Sequence, residues 1–294
     1  MQERTFFPAK RKVRALKLKV TCLFFCAMFF LSACSDARWV DQDSNGLHKS
    51  RISMEMKEAV PVSFFPDPVQ IVSIGDSLTQ GVGDSTNQGG YLPYLRKKLE
   101  KEPEVTAAYM INHGKRGNRT DQLLTRLDGE KMKEDIQNAE CIIITIGGND
   151  VIKIVRDHIS NLTMDQFTQA KTGYKERLIK IMDKVRLYNQ DADIYLVGLY
   201  NPFSNWLSNF RELDTIMYEW DGISREVVTN YSNAYFIEIG DIFKNTQEDL
   251  LFDEDLFHPN DRGYEMIASR IYGTMESNRF GENSLEASAK KDEE

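Results

Sequence analysis

The chain has 294 residues, 41 % hydrophobic and 28 % charged, a balance ordinary for a soluble globular protein and long enough for one large domain or two small ones. Its net charge is −8. Removing residues 1–33, which hold seven of the 37 basic groups and one of the 45 acidic ones, takes it to −14. That charge argues against nucleic acid as a partner and against capture of polyanions or of an anionic membrane surface.

Residues 1–19 are basic, 20–33 (VTCLFFCAMFFLSA) are apolar, and Cys34 follows. A basic stretch, a short apolar run and small residues before a cut site describe a secretory signal. The run is shorter than the roughly 20 residues a membrane-spanning helix needs. Its end, Leu31-Ser32-Ala33-Cys34, resembles the bacterial lipobox, whose cysteine is lipidated and becomes the new N-terminus. An uncleaved anchor and an ordinary signal peptide are the other readings, and each puts the body of the protein outside the cytoplasmic membrane. Lipid on Cys34 would tether it there, each buried methylene adding about 0.8 kcal/mol. Cys22 and Cys26 leave with the signal, so Cys141 remains alone, without an internal disulfide partner, and reads as a small buried hydrophobe.

Residues 34–68 are polar and then proline-bearing, and they read as a flexible tether with a reach of roughly 30 Å. From there the pattern alternates. Apolar runs at 69–74, 105–111, 141–146, 194–199 and 235–239 suit strands buried on both faces. Three helical stripes lie among them: Phe167 to Tyr188, Trp206 to Tyr231, and Tyr264 to Met275. Strands alternating with helices predict a parallel sheet covered on both faces, with ligands bound beyond the carboxyl ends of the strands. The domain spans 69–279, and 280–294 reads as a disordered charged tail.

Four motifs fall in loops of this domain. Gly75-Asp76-Ser77-Leu78 follows the first strand, where a tight turn leaves a hydroxyl at the rim; alone, Asp76 or Ser77 could simply cap a helix. A helix starting here would also aim its positive dipole end at that spot. Gly117-Asn118-Arg119-Thr120 follows the second strand, and Gly147-Gly148-Asn149-Asp150 the third; singly, each is a turn or a cap. Asp255-Leu256-Phe257-His258-Pro259 places a carboxylate three residues before an imidazole, close enough to receive its Nδ1–H, although such a pair also serves as a structural hydrogen bond.

Together, in this order on an alternating chain, the blocks GDSLTQGVG, GNRT, GGND and DLFHP resemble those of the SGNH hydrolases, the GDSL lipase/esterase family, over residues 69–277. The signal and tether resemble exported lipoprotein-type members from Gram-positive bacteria. The resemblance implies a three-layer α/β/α fold with a central five-stranded parallel sheet, flavodoxin-like in kind. It also implies hydrolysis of a carboxylic ester through an acyl-enzyme. Ser77 would be the nucleophile, His258 the base, and Asp255 the group that orients the ring. The oxyanion would meet the N–H groups of Ser77 and Gly117 and the side-chain amide of Asn149. No cofactor and no metal are expected, and Asp76 and Asp150 read as capping or loop-bracing groups.

The expected substrates are short acyl esters, lysophospholipids or O-acetyl groups on cell-wall sugars. Phe203 and Trp206 could line the acyl or sugar pocket or pack as core. The expected location is the outer side of the cell membrane, through lipid on Cys34. A binding lipoprotein that keeps the fold without catalysis is the alternative.

Overall fold

In the computed structural model, which describes residues 66–202, 211–244 and 246–280, each of the five apolar runs is a strand. They are β1 (Asp67–Gly75), β2 (Val105–Gly114), β3 (Cys141–Thr145), β4 (Asp193–Val197) and β5 (Ala234–Ile237). All neighbours pair in parallel, in the order β2-β1-β3-β4-β5. The chain adds β2 on one side of β1 and then crosses to build β3, β4 and β5 on the other. The switch point therefore lies between β1 and β3, where the carboxyl-terminal ends of an open sheet leave a crevice.

The helices are α1 (Ser77–Gln80), α2 (Leu92–Leu99), α3 (Thr120–Arg126), α4 (Glu130–Gln137), α5 (Gly148–Asp157), α6 (Met164–Tyr188), α7 (Arg211–Val228) and α8 (Asp261–Met275). Successive strand residues point to opposite faces, and the core divides accordingly. Val72, Ile74, Ile142, Ile144, Ile194 and Leu196 meet the apolar sides of α3 to α7. Ile71, Cys141, Ile143, Tyr195 and Val197 meet α2 and α8. Both faces are thus covered, the three-layer arrangement expected, but β2 departs from the two-sided burial its run suggests: it is an edge strand, and Thr106, Tyr109 and Asn112 are exposed. Cys141 is buried, as its place in CIIITI implies.

The periodic stripes become the longest helices. α6 opens with a capping box in which the Gln166 side chain accepts from Thr163 N at 2.9 Å. Its residues Phe167, Tyr174, Leu178, Ile181 and Val185 are all buried, the Leu, Ile, Val and Phe side chains contributing about 1.5–3 kcal/mol each. The second stripe is shorter than its pattern. Tyr231 lies beyond the end of α7 in a turn. Trp206, at the head of that stripe, lies outside the described residues, as do Phe203, Cys34 with the whole signal segment, residues 35–65 of the tether and residues 281–294 of the tail. At the two boundaries, β1 already begins at Asp67 inside the stretch read as tether. Phe280, read as the first residue of the tail, is buried at the end of a π-helical turn, Glu276–Phe280.

Between α1 and α2 the chain makes a tight loop around one side chain. The buried Asp84 carboxylate accepts from Thr86 N (2.8 Å), Thr86 Oγ1 (2.6 Å), Gln88 N (2.9 Å), Gly89 N (3.0 Å) and Gly90 N (3.0 Å). Burial alone raises a carboxyl pKa; here the donors outweigh it and hold Asp84 below its ordinary value. A group depressed in this way contributes stability that is present above the unfolded pKa of about 3.9 and is lost as pH falls through the lower folded value. Asp84→Asn, which turns an NH₂ toward these donors, is expected to cost at least about 2 kcal/mol at pH 7. In urea unfolding series the gap between variant and native protein should close as pH falls from 5 toward 3, and a gap independent of pH would contradict the account.

Candidate active site

The turn after β1 is dictated by a close approach. Gly75 has φ 144°, and a Cβ there would lie 2.0 Å from the carbonyl oxygen of Thr145 on β3. The next residue is held to the same strand. Asp76 N donates to Thr145 O at 3.1 Å, and Thr145 Oγ1 donates to Asp76 Oδ1 at 2.8 Å. Asp76 Oδ1 also accepts from Leu78 N at 3.1 Å, so Asp76 caps α1 as its sequence position suggests. Burial pushes its carboxyl up to about 7, against the lowering effect of the Thr145 and Leu78 bonds. Ser77 follows as the first residue of α1 and is buried at 5 % exposure. α1 is a single turn, so the helix dipole expected at this position is too short to form, and individual N–H groups are what the turn presents.

Ser77, Asn149 and His258 line one cavity, with Asp76, Thr145 and Tyr200. It lies at the ends of β1, β3 and β4 and opens to solvent. The rest of its lining is apolar, chiefly Leu78, Ile146, Ile152, Leu199, Met217 and Phe257. Sequence reading missed these residues because they come from five separate segments of the chain and only the fold assembles them. Pro202 lies at its edge, immediately before the undescribed segment that holds Phe203 and Trp206.

Asp255 and His258 form the pair their spacing suggests. His258 Nδ1 lies 2.6 Å from Asp255 Oδ2, while Asp255 Oδ1 accepts from Phe257 N and His258 N, both at 3.0 Å. Burial raises the Asp255 pKa, but these donors and the imidazole outweigh it, so it stays low and the group is a carboxylate. For His258 the order is reversed. Desolvation lowers its pKa below 6.5, the Asp255 carboxylate opposes this only in part, and the positive charge of Arg116 lowers it further. The ring is therefore neutral at pH 7, its Nδ1–H is directed at Asp255, and its Nε2 lone pair is available to accept a proton.

Gly117 is not in the cavity lining. It sits at φ 76° with nothing within 4 Å of where a Cβ would stand, so backbone conformation and not packing calls for glycine. The loop around it is tied to the turn after β1 by Lys115 N to Gly75 O (3.1 Å) and Arg116 N to Gln80 Oε1 (2.5 Å). Asn149 Nδ2 donates to Asn118 O at 3.1 Å, which places its amide one residue from Gly117 and leaves its second N–H unspent. Asp150 braces the same junction. Its Oδ2 accepts from Thr120 N at 2.9 Å and its Oδ1 from Thr120 Oγ1 at 2.6 Å, and Arg177 Nη2 of α6 lies 3.2 Å from Oδ1. Thr120 belongs to GNRT and Asp150 to GGND, so the two loops are locked by their own motif residues; Arg177 carried no signal in the sequence.

Among the described residues no group of three His, Cys, Asp or Glu side chains is placed to hold a metal ion. The arrangement is a neutral base with a fixed tautomer, a buried hydroxyl, and spare N–H donors around an apolar cavity. That is the equipment of acyl transfer at a carbonyl.

Comparison with known proteins agrees with this chemistry. The GDSL-like Lipase/Acylhydrolase family matches residues 73–266. The uncharacterised protein YpmR of Bacillus subtilis is 30 % identical over 258 residues, covering 87 % of this chain and 96 % of that protein. The spore germination lipase LipC of Bacillus licheniformis is 25 % identical over 223 residues, 71 % of this chain and 99 % of that one. Among solved structures, the lipase Lip_vut3 from a goat rumen metagenome superposes with a TM-score of 0.59 at 24 % identity, covering 70 % of this chain and 96 % of that one. An acetyl xylan esterase, AlAXEase, superposes with a TM-score of 0.53 at 18 % identity over 70 % and 99 % of the two chains. These two likenesses bear on the fold alone. By its match over residues 73–266, the chain belongs to the GDSL-like lipase/acylhydrolase family of ester hydrolases.

Proposed function

We propose that this chain is an extracytoplasmic serine esterase, held at the membrane by lipid on Cys34, that cleaves a carboxylic ester through Ser77, His258 and Asp255 by way of an acyl-enzyme. The observation that carries the catalytic reading is that Ser77 and His258 line one cavity, with Asp255 2.6 Å from the far ring nitrogen. The tether rests on the basic and apolar segment ending in Leu31-Ser32-Ala33-Cys34. The apolar lining favours an acyl chain longer than acetyl, because burying each further methylene adds about 0.8 kcal/mol. LipC, a relative by name a lipase, is consistent with a lipid-like ester.

The steps follow from the groups present. Ser77 Oγ attacks the ester carbon while its proton passes to His258 Nε2. The carbonyl oxygen becomes an oxyanion, met by the N–H groups of Ser77 and Gly117 and by the spare N–H of Asn149. Asp255 stabilises the imidazolium. The tetrahedral intermediate expels the alcohol, which takes the proton from His258, and leaves the acyl group on Ser77. Water, deprotonated by the same nitrogen, then releases the acid and restores Ser77.

Three measurements test this reading. Purified protein is expected to hydrolyse p-nitrophenyl esters, better with butyryl to octanoyl chains than with acetyl, and to be labelled covalently by a fluorophosphonate. Ser77→Ala should lose at least about 10⁴-fold in kcat and all labelling while its circular dichroism is unchanged. Native protein that is folded but unlabelled would point to the binding-module alternative. Asn149→Ala is expected to lower kcat by about 10²–10³ with little change in KM; equal kcat would remove Asn149 from the oxyanion site. For the anchor, Cys34→Ala should shift the protein from the membrane fraction into the medium or soluble fraction, and an unchanged membrane fraction would rule out a lipid on that residue.

A further inference from the structure

His258 stands on a loop with an unfavourable backbone. Leu256, two residues before it, has φ 50°, a left-handed conformation that side chains other than glycine rarely adopt. Within the loop, Leu256 N and Asp255 N donate to Phe252 O (2.7 and 3.2 Å), and Phe252 N donates to His258 O (2.8 Å). The bonds from Asp255 to Phe257 and His258 are also internal. All of these move with the loop. They orient the imidazole relative to Asp255, but they cannot set the distance from His258 to Ser77, which follows a different strand.

Contacts from outside the loop do that. After His258, the chain packs on the segment following Ser77: a Cβ on Gly83 would lie 2.4 Å from Pro259 O, and Tyr264 donates its hydroxyl to Val82 O at 2.7 Å. Before His258, the anchor comes from the sheet. Tyr200, just past the end of β4, donates its hydroxyl to Phe257 O at 2.5 Å. Its ring is buried at 8 % exposure, lines the cavity, and stacks on Phe243 with centroids 4.2 Å apart. The Phe257 carbonyl belongs to the peptide that leads directly into His258, and the same residue's N–H is held by Asp255. Burial and the nearby carboxylates of Asp76 and Asp255 keep the Tyr200 hydroxyl protonated far above neutrality, so the donor is present at every working pH.

We infer that Tyr200 is a positioning residue for ester cleavage: through the Phe257 carbonyl it holds the His258 imidazole in place against Ser77 and away from solvent. The inference rests on the proposed role of His258 as base. A hydrogen bond from a rigid strand end holds one peptide of a strained loop, and a misplacement of about 1 Å at a reacting centre can cost on the order of 10² in rate.

Tyr200→Phe keeps the stack on Phe243 and removes only the hydroxyl. The full-length variant is expected to lose about 10–100-fold in kcat on p-nitrophenyl butyrate, with KM within about twofold of native and fluorophosphonate labelling slowed in parallel. The charged and titratable groups around His258 are Asp255 on its own loop, Arg116 on the loop after β2 and Asp76, which lines the same cavity from the turn after β1, and the substitution changes none of them. Loss of the anchor should let water reach the ring. The His258 pKa, read from the imidazole signals by NMR and from the acid limb of kcat/KM, should then rise from its depressed value toward 6.5. A merely structural role would lower the melting temperature and leave that pKa in place. A native kcat and native His258 pKa in the folded variant would overturn the inference. The NMR titration needs no turnover, so inert native protein would defeat the proposed function while the titration still shows whether Tyr200 holds the ring.

Discussion

Side by side at the centre of the sheet, β1 and β3 approach so closely at their carboxyl ends that residue 75 has no room for a side chain against the Thr145 carbonyl. The rest of the rim depends on this contact. It places Asp76 where Thr145 can bond both its backbone and its carboxylate, it starts α1 at Ser77, and it sets that hydroxyl over the switch point of the sheet. The loop after β2 closes on the same spot by bonding Gly75 O and the Gln80 side chain. The loop after β3 then reaches it through Asn149. Three chain segments far apart in sequence share one small volume because a parallel sheet brings its strand ends to the same side.

Beneath Ser77 lies a run of buried hydroxyls whose proton count has one direction. Thr145 gives its proton to Asp76 Oδ1, so in its 2.8 Å contact with Thr79 it must accept. Thr79, having donated, accepts in turn from Tyr91 at 2.9 Å or Ser73 at 3.1 Å. Every donor in the run is polarised toward Asp76. No ion pair with a cation accompanies it among the described residues. Burial consequently brings its carboxyl near neutrality, whereas Asp255, held by two backbone N–H groups and an imidazole, stays ionised. Two carboxyl groups near one serine thus carry different charges at pH 7, and only the one behind the imidazole is a full anion.

How much of this was legible in the sequence follows from the range of each contact. The five strands were, because runs such as CIIITI have no polar face and a parallel sheet covered on both sides needs none; the two-sided burial expected of the 105–111 run failed, since β2 is an edge strand. The third helical stripe was, because Tyr264, Ala268, Ile271 and Met275 share one face. The Asp255–His258 pair was local, three residues apart, and so could be read from spacing. Tyr200, Arg177, Ile152 and Met217 were not, since each meets the site through the tertiary fold and looks like any core or helix residue in its own segment. The expected helix dipole failed for a local reason. Gly81 takes a left-handed conformation and ends α1 after one turn, which no periodicity announces over four residues.

On the proposed mechanism, the ground state carries little charge in the cavity: a neutral imidazole, a neutral hydroxyl and a neutral ester, with Asp255 behind them. Charge appears only on the way to the tetrahedral intermediate, as an imidazolium and an oxyanion. The desolvation that lowers the His258 pKa opposes the first of these, and the Asp255 carboxylate at 2.6 Å offsets part of that cost. Among the described residues of the lining there is no lysine or arginine to meet the oxyanion, so its stabilisation falls on N–H groups already fixed in direction, each worth about 3–4 kcal/mol in such sites. Dipoles held in place give that benefit without reorganising, whereas mobile ones would have to be ordered during the reaction. This accounts for the bracing around the donors. Asp150 takes both polar groups of Thr120, and Asn118 takes one hydrogen of Asn149. An apolar cavity strengthens whatever field these groups supply, and the same apolar walls that select an acyl chain thereby also strengthen the stabilisation of its transition state.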